Sequence, residues 1–192
     1  MTSVMTCFDT DAALLRRMAR GETQALTPLI ERHHFTLHRF IARRLGADGA
    51  EDLVADTFEI ALRRAGRYEA RTADARPWLL GIAANVLRDH SRREAAMYRA
   101  YARTGHDPAL GSVELQHCDW TAQRALVAAL AELRPDHRNA LLLHVLGELS
   151  YEEVAVALDV PIGTVRAWIS RARTAAARHL TAAGITSMEM SA

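Results

Sequence analysis

The chain has no lysine, so all 24 of its permanently positive side chains are arginines. A guanidinium is a planar fork of donors that suits phosphate oxygens and base edges better than an ammonium does. Compositional bias would produce the same count, and a net charge of +1 does not by itself point to a polyanion. The distribution of charge therefore matters more than its total. Cysteine is nearly as scarce. Cys7 and Cys118 stand far apart, which argues against a disulfide framework or a zinc knuckle and leaves a reducing compartment as the expectation. No apolar run approaches the roughly 20 residues of a membrane-spanning helix. Asp9 and Asp11 stand where a secretory leader needs basic residues and a long apolar run. The chain is therefore expected to be cytoplasmic, with no membrane insertion. Also missing are an HExxH pair, a phosphate-cradling glycine loop, a nucleophilic triad and paired catalytic carboxylates. The neighbours His33 and His34, and Asp136 and His137, are weak evidence for metal binding or catalysis. No catalytic residue, metal or cofactor is assigned, and the chain is expected not to be an enzyme.

What is present is helical periodicity, almost without strand signals. With 192 residues, 49% hydrophobic, the chain suits one large domain or two small ones. An unpatterned stretch at 96–120 favours two. The expectation is an all-α protein: a helical domain at 9–95, a flexible linker at 96–120, a second domain at 121–180 and a short tail at 181–192. In the first domain, helices are expected at about 9–20, 22–45, 50–64 and 74–93, the last with Trp78, Leu79, Ile82, Ala83, Val86 and Leu87 on its apolar face. Pro77 is tolerated in a first turn. The 50–64 helix carries Glu51, Asp52, Asp56 and Glu59. That face would repel DNA, and it suits a protein partner or simple solvation. The 66–76 segment carries Arg67, Tyr68, Arg71 and Arg76. Cation beside ring is how single-stranded nucleic acid is gripped, one on phosphate and the other on base; an ordinary solvated loop would share the composition. Arg88, Arg92 and Arg93 leave the fourth helix at spacings that follow a phosphate backbone, or that merely suit a helix C-terminus.

The second domain has the sharper signal. Pro135 is placed to start a strongly apolar helix, with Ala140 to Leu143, Val145 and Leu146. Ser150 followed by Glu153 is a capping-box pattern, so a helix should begin at Tyr151. Asp159, Val160 and Pro161 form a turn. Val165, Ile169, Ala172 and Ala176, spaced by four, three and four, then share one face of the next helix. The opposite side offers Thr164, Arg166, Ala167, Ser170, Arg171 and Arg173, and no acid occurs from 162 to 180. Small residues near the start permit close groove approach, while arginines reach phosphates and base edges. This is the grammar of a helix-turn-helix.

Both halves together resemble the bacterial sigma-70 family, specifically its extracytoplasmic-function group, over about 22–180. The residues that carry the resemblance are AEDLVADTFEIALRR at 50–64, RPWLLGIAANVLRDHSR at 76–92, and LSYEEVA, PIGTV and SRAR between 149 and 173. The resemblance implies a factor that binds core RNA polymerase through its clamp coiled coil and flap, reads the minus-35 and minus-10 promoter elements and promotes DNA melting. It further implies an anti-sigma factor as partner. Carried over residue by residue, core binding falls on Glu51, Asp52, Leu53, Asp56, Thr57 and Glu59. Minus-10 binding and melting fall on Arg67, Tyr68, Arg71, Arg76, Asn85, Arg88, Arg92 and Arg93. Minus-35 binding falls on Thr164, Arg166, Ala167, Trp168, Ser170, Arg171 and Arg173. Trp168 departs from the family, where a basic residue is common, and either packs against the core or meets DNA. Leu62 replaces a common tryptophan. The alternative is a dimeric helix-turn-helix regulator that binds duplex DNA without core polymerase.

Overall fold

The computed structural model describes residues 9–72, 74–89 and 128–182. Arg92, Arg93, the 96–120 linker, the start of the helix expected at Thr121 and the 183–192 tail lie outside the described residues. Within the described residues every regular element is helical.

Four helices build the first unit: α1 (Asp11–Ala19), α2 (Leu26–Leu45), α3 (Ala50–Arg64) and α4 (Arg76–Asp89). Thr10 caps α1, its hydroxyl accepting from the Ala13 N–H at 3.3 Å. α2 was expected from Glu22, but Thr23–Ala25 is a tight 3-10 turn and the α-helix begins at Leu26. Pro28 explains the shift: its ring clashes with the carbonyl four residues back, so it is tolerated only in a first turn. α2 ends at Gly46 (φ 90°) and Gly49 (φ 80°) precedes α3, left-handed conformations that glycine adopts without a Cβ clash. Leu14, Leu15, Leu29, Ile41, Leu79, Leu80 and Leu87 are fully buried in this unit. Each such side chain contributes about 1.5–3 kcal/mol relative to exposure.

The second unit comprises a helical segment at 128–132, then α5 (Pro135–Val145), α6 (Tyr151–Leu158) and α7 (Ile162–Ala182). Pro135 occupies the start of α5, as expected. Arg138 is buried, and its guanidinium donates to the carbonyls of Leu130 (2.8 Å) and Leu133 (3.0 Å), satisfying acceptors at the end of the preceding helical segment. The capping box at α6 is complete: the Glu153 N–H donates to Ser150 Oγ at 3.1 Å, and the Ser150 N–H donates to Glu153 Oε2 at 2.8 Å. Ser150→Ala is expected to cost about 1 kcal/mol, measured as a lower denaturant midpoint. Val165, Ile169, Ala172 and Ala176 are buried along one face of α7. Val145, part of the apolar run, is 55% exposed. The buried run of α5 ends at Leu143, and Val145 lies beyond it.

The two units share one continuous apolar cluster, which includes Leu80 and Val154. They meet most closely where α6 lies on α4. A Cβ on Gly81 would stand 2.0 Å from the Ala157 carbonyl oxygen, so the backbones touch there only because residue 81 has no side chain. Arg44, fully buried at the end of α2, donates to Asn139 Oδ1 of α5 at 2.9 Å.

Candidate nucleic-acid interface

The arginine face of α7 is the simpler of two basic surfaces. Arg166, Ser170, Arg171 and Arg173 are exposed, and Thr164 and Ala167 are partly so. The turn before them works because Asp159 adopts a left-handed conformation (φ 51°), and the Pro161 carbonyl accepts the Thr164 N–H at 2.9 Å to start the helix. No acid occurs on α7. Trp168 borders the buried stripe, one residue before Ile169, and packs against the core cluster. Its ring centroid stands 6.2 Å from that of His137. Burial lowers the His137 pKa, and the nearby charges of Arg134 and Arg171 lower it further. The neutral imidazole is therefore favoured beside the arginine face.

The second surface lies around the start of α4. Tyr68 and Trp78 meet edge to face with centroids 5.2 Å apart. Trp78, read from periodicity as core, is only partly buried. It lines a cleft of about 270 Å³ together with Arg64, Arg67, Arg71, Ile82 and Asn85. Arg64, Asn85 and Arg88 line an adjoining recess. Arg64 was not among the residues expected here; it ends α3, and only the packing of α3 on α4 brings it to the cleft. Cations bordering a partly exposed ring can hold phosphates and stacked bases together.

The far wall of the cleft is α6, through Val156, Ala157, Leu158 and Asp159. Arg71 pairs with Glu69 at 2.7 Å and with Asp159 at 3.4 Å. These carboxylates, Glu69 first, raise its pKa. Arg76 donates to the Glu148 carbonyl at 3.0 Å, and Arg39 meets the Glu148 carboxylate at 3.1 Å. Glu148 and Asp159 are the two non-glycine residues with positive φ among the described residues. They flank α6 at either end, and both engage arginines of the first unit.

The acidic face of α3 divides. Glu51, Asp52, Asp56 and Glu59 are exposed, whereas Leu53 and Thr57 are buried. Leu53 and Thr57, grouped with the acids for core binding, thus lie on the buried side of α3. They fall on the same stripe as Val54, Phe58 and Ala61, and the Thr57 hydroxyl donates to the Leu53 carbonyl at 2.7 Å. Glu51 also accepts from His34 Nε2 at 3.0 Å. Among the described residues no cluster of His, Cys, Asp and Glu could hold a metal ion, and no helix is long and apolar enough to cross a membrane.

Two family models match the chain: Sigma-70 region 2 over residues 29–97 and Sigma-70 region 4 over residues 123–175. Among curated relatives, the chain is similar to the ECF RNA polymerase sigma factor SigC of Mycobacterium tuberculosis, 32% identical over 175 residues that cover 91% of this chain and 94% of the relative. Among solved structures, it is similar to CnrH determined in complex with the cytosolic domain of CnrY, with a TM-score of 0.60 and 25% identity over 91% of this chain and 99% of that one. The sigma factor RpoE of Bartonella quintana, determined with the anti-sigma factor NepR, shares the fold, with a TM-score of 0.50 and 24% identity over 86% of this chain and 98% of that one. α2 to α4 thus coincide with region 2 and α5 to α7 with region 4, and the chain belongs to the sigma-70 family of RNA polymerase sigma factors, in its extracytoplasmic-function group.

Proposed function

We propose that this chain acts as a promoter-specific initiation factor. It binds core RNA polymerase through the exposed acids of α3, reads the minus-35 element with the arginine face of α7 and captures unpaired minus-10 bases in the arginine-aromatic cleft at the start of α4. It performs no chemistry of its own. Opening the duplex is driven by binding the displaced bases, which offsets their unstacking. It works in the cytoplasm, with region 2 at 9–95 and region 4 at 121–180 as its domains. The observation that carries this reading is the pair of basic surfaces on one chain: a helix face without acids, suited to a major groove, and a cleft with rings, suited to single strands. A duplex reader alone needs no second surface. An anti-sigma factor that holds the two regions together fits the contacts by which α6 walls the cleft. The two solved structures named above were determined with a protein partner bound.

Run-off transcription with purified core polymerase on a promoter library tests the reading. Promoter-specific transcripts that require this chain support it. Tight sequence-specific duplex binding by the chain alone, without core-dependent initiation, would replace it with the dimeric regulator. Arg166→Ala and Arg171→Ala are each expected to weaken promoter selection by about 1–3 kcal/mol per lost base contact, with core affinity intact. Charge reversal at Asp52 and Asp56 should do the opposite, read in a core-binding titration beside a promoter-competition assay.

A further inference from the structure

Asp11 is the first residue of α1, yet its carboxylate serves α4. The side chain is 5% exposed. Oδ1 accepts from Arg32 Nη1 at 2.9 Å. Oδ2 accepts from His33 Nε2 at 2.7 Å and from the Ala75 N–H at 2.9 Å, across 64 residues of sequence. Ala75 immediately precedes α4, and its carbonyl accepts the Leu79 N–H at 2.9 Å, the first bond of that helix. Alanine has no side chain with which to cap a helix. The adjacent orphan donor, the Arg76 N–H, is met by Asp74 Oδ1 at 2.9 Å. The joint between the 67–76 loop and α4 is therefore held at two points, locally by Asp74 and from the other end of the domain by Asp11.

Three donors are what a buried carboxylate needs. Burial alone would raise the Asp11 pKa, but the hydrogen bonds from His33, Ala75 and Arg32 outweigh it and hold the carboxyl far below its ordinary 3.8. The charge reaches the aromatic pair as well. The Tyr68 pKa is raised, first by burial and then by the negative charges of Asp11 and Asp74.

We infer that Asp11, clamped by Arg32 and His33, is a positioning residue for minus-10 capture: it fixes the loop-to-α4 joint so that Tyr68, Arg76 and Trp78 face an unpaired strand in one preset geometry. This rests on the reading of that cleft as the single-strand surface. Preset geometry matters because a loop that must be ordered on binding subtracts its ordering entropy from the affinity. Asp11→Asn keeps the shape but turns an amide NH₂ toward donors on one side, so the joint loses an anchor. His33→Leu removes one clamp. His33→Gln can return an amide N–H to the place of Nε2.

The test uses holoenzyme assembled from the full chain and core polymerase, with three measurements: core affinity, binding of a duplex minus-35 fragment, and capture of a single-stranded minus-10 oligonucleotide. Asp11→Asn and His33→Leu are expected to weaken oligonucleotide capture tenfold or more while the other two affinities stay within about twofold, and His33→Gln should restore most of the loss. Capture unchanged in Asp11→Asn and His33→Leu would overturn the inference. So would a parallel fall of all three affinities that His33→Gln does not relieve, since that is the signature of a merely structural carboxylate. Tyr68→Ala serves as the control for the surface itself. If it captures the oligonucleotide as well as the parent does, the cleft reading fails and the inference falls with it, for a reason the Asp11 variants alone would not reveal.

Discussion

Gly81→Val is expected to separate region 4 from region 2 without unfolding either. The added Cβ would lie 2.0 Å from the Ala157 carbonyl oxygen and 2.8 Å from its carbon. Both are backbone atoms of a helix, so no flexible side chain can yield, and the relief available is to move α6 off α4. Within α4 itself, valine is a poor helix former but a better one than glycine, whose helix-interior penalty is about 0.5–1 kcal/mol, so the substitution does not weaken α4 through propensity. Small-angle scattering of the isolated chain should therefore show a larger radius of gyration, while far-UV circular dichroism stays the same. An unchanged radius would mean that the two helices do not need this contact. Separation also removes Asp159 from Arg71 and the Glu148 carbonyl from Arg76. The isolated chain should then bind a single-stranded oligonucleotide several-fold more tightly, most visibly at low salt.

Arg44→Ala is expected to be the most destabilising single change outside the apolar core. Arg44 is fully buried, its guanidinium carbon lies 5.5 Å from the Phe40 ring centroid, and it donates to Asn139 across the two units. Truncation leaves a cavity where a long side chain stood and a buried Asn139 oxygen without this donor. Together these cost about 2–5 kcal/mol, read as a fall in the denaturant midpoint. Arg44→Met, which refills the volume, should recover part of the loss. In a double-mutant cycle, Asn139→Ala should cost less in the Arg44→Ala background than in the parent, because the shared bond is already gone. Additive costs would show that the pair does not act as one.

The helices were largely legible because their signals are local. α3 runs from Ala50 to Arg64 as the sequence predicts, and the 4-3-4 spacing on α7 names residues that prove buried. The capping box at Ser150 is complete in both directions. Where expectation and structure part, the helix face, a boundary or a long-range contact is responsible. Leu53 and Thr57 share a motif with the exposed acids of α3, yet their positions on the helix turn them inward. Trp78 reads as core by periodicity, but the Tyr68 loop lies beside it and leaves the ring at the edge of a cleft. Trp168, ambiguous in sequence, borders the buried stripe of α7 and packs there.

The chain by itself determined that it is helical, that it carries two regions in a fixed order and that an acid-free arginine face follows a helix-turn-helix, because periodicity, caps and charge runs act within a few residues. Only the tertiary structure decided which residues share a surface. Asp11 reaches Ala75 over 64 residues and Arg44 reaches Asn139 over 95. Such bonds depend on the path of the chain between their ends. The absence of a side chain at Gly81 acquires its meaning only when another helix lies against it.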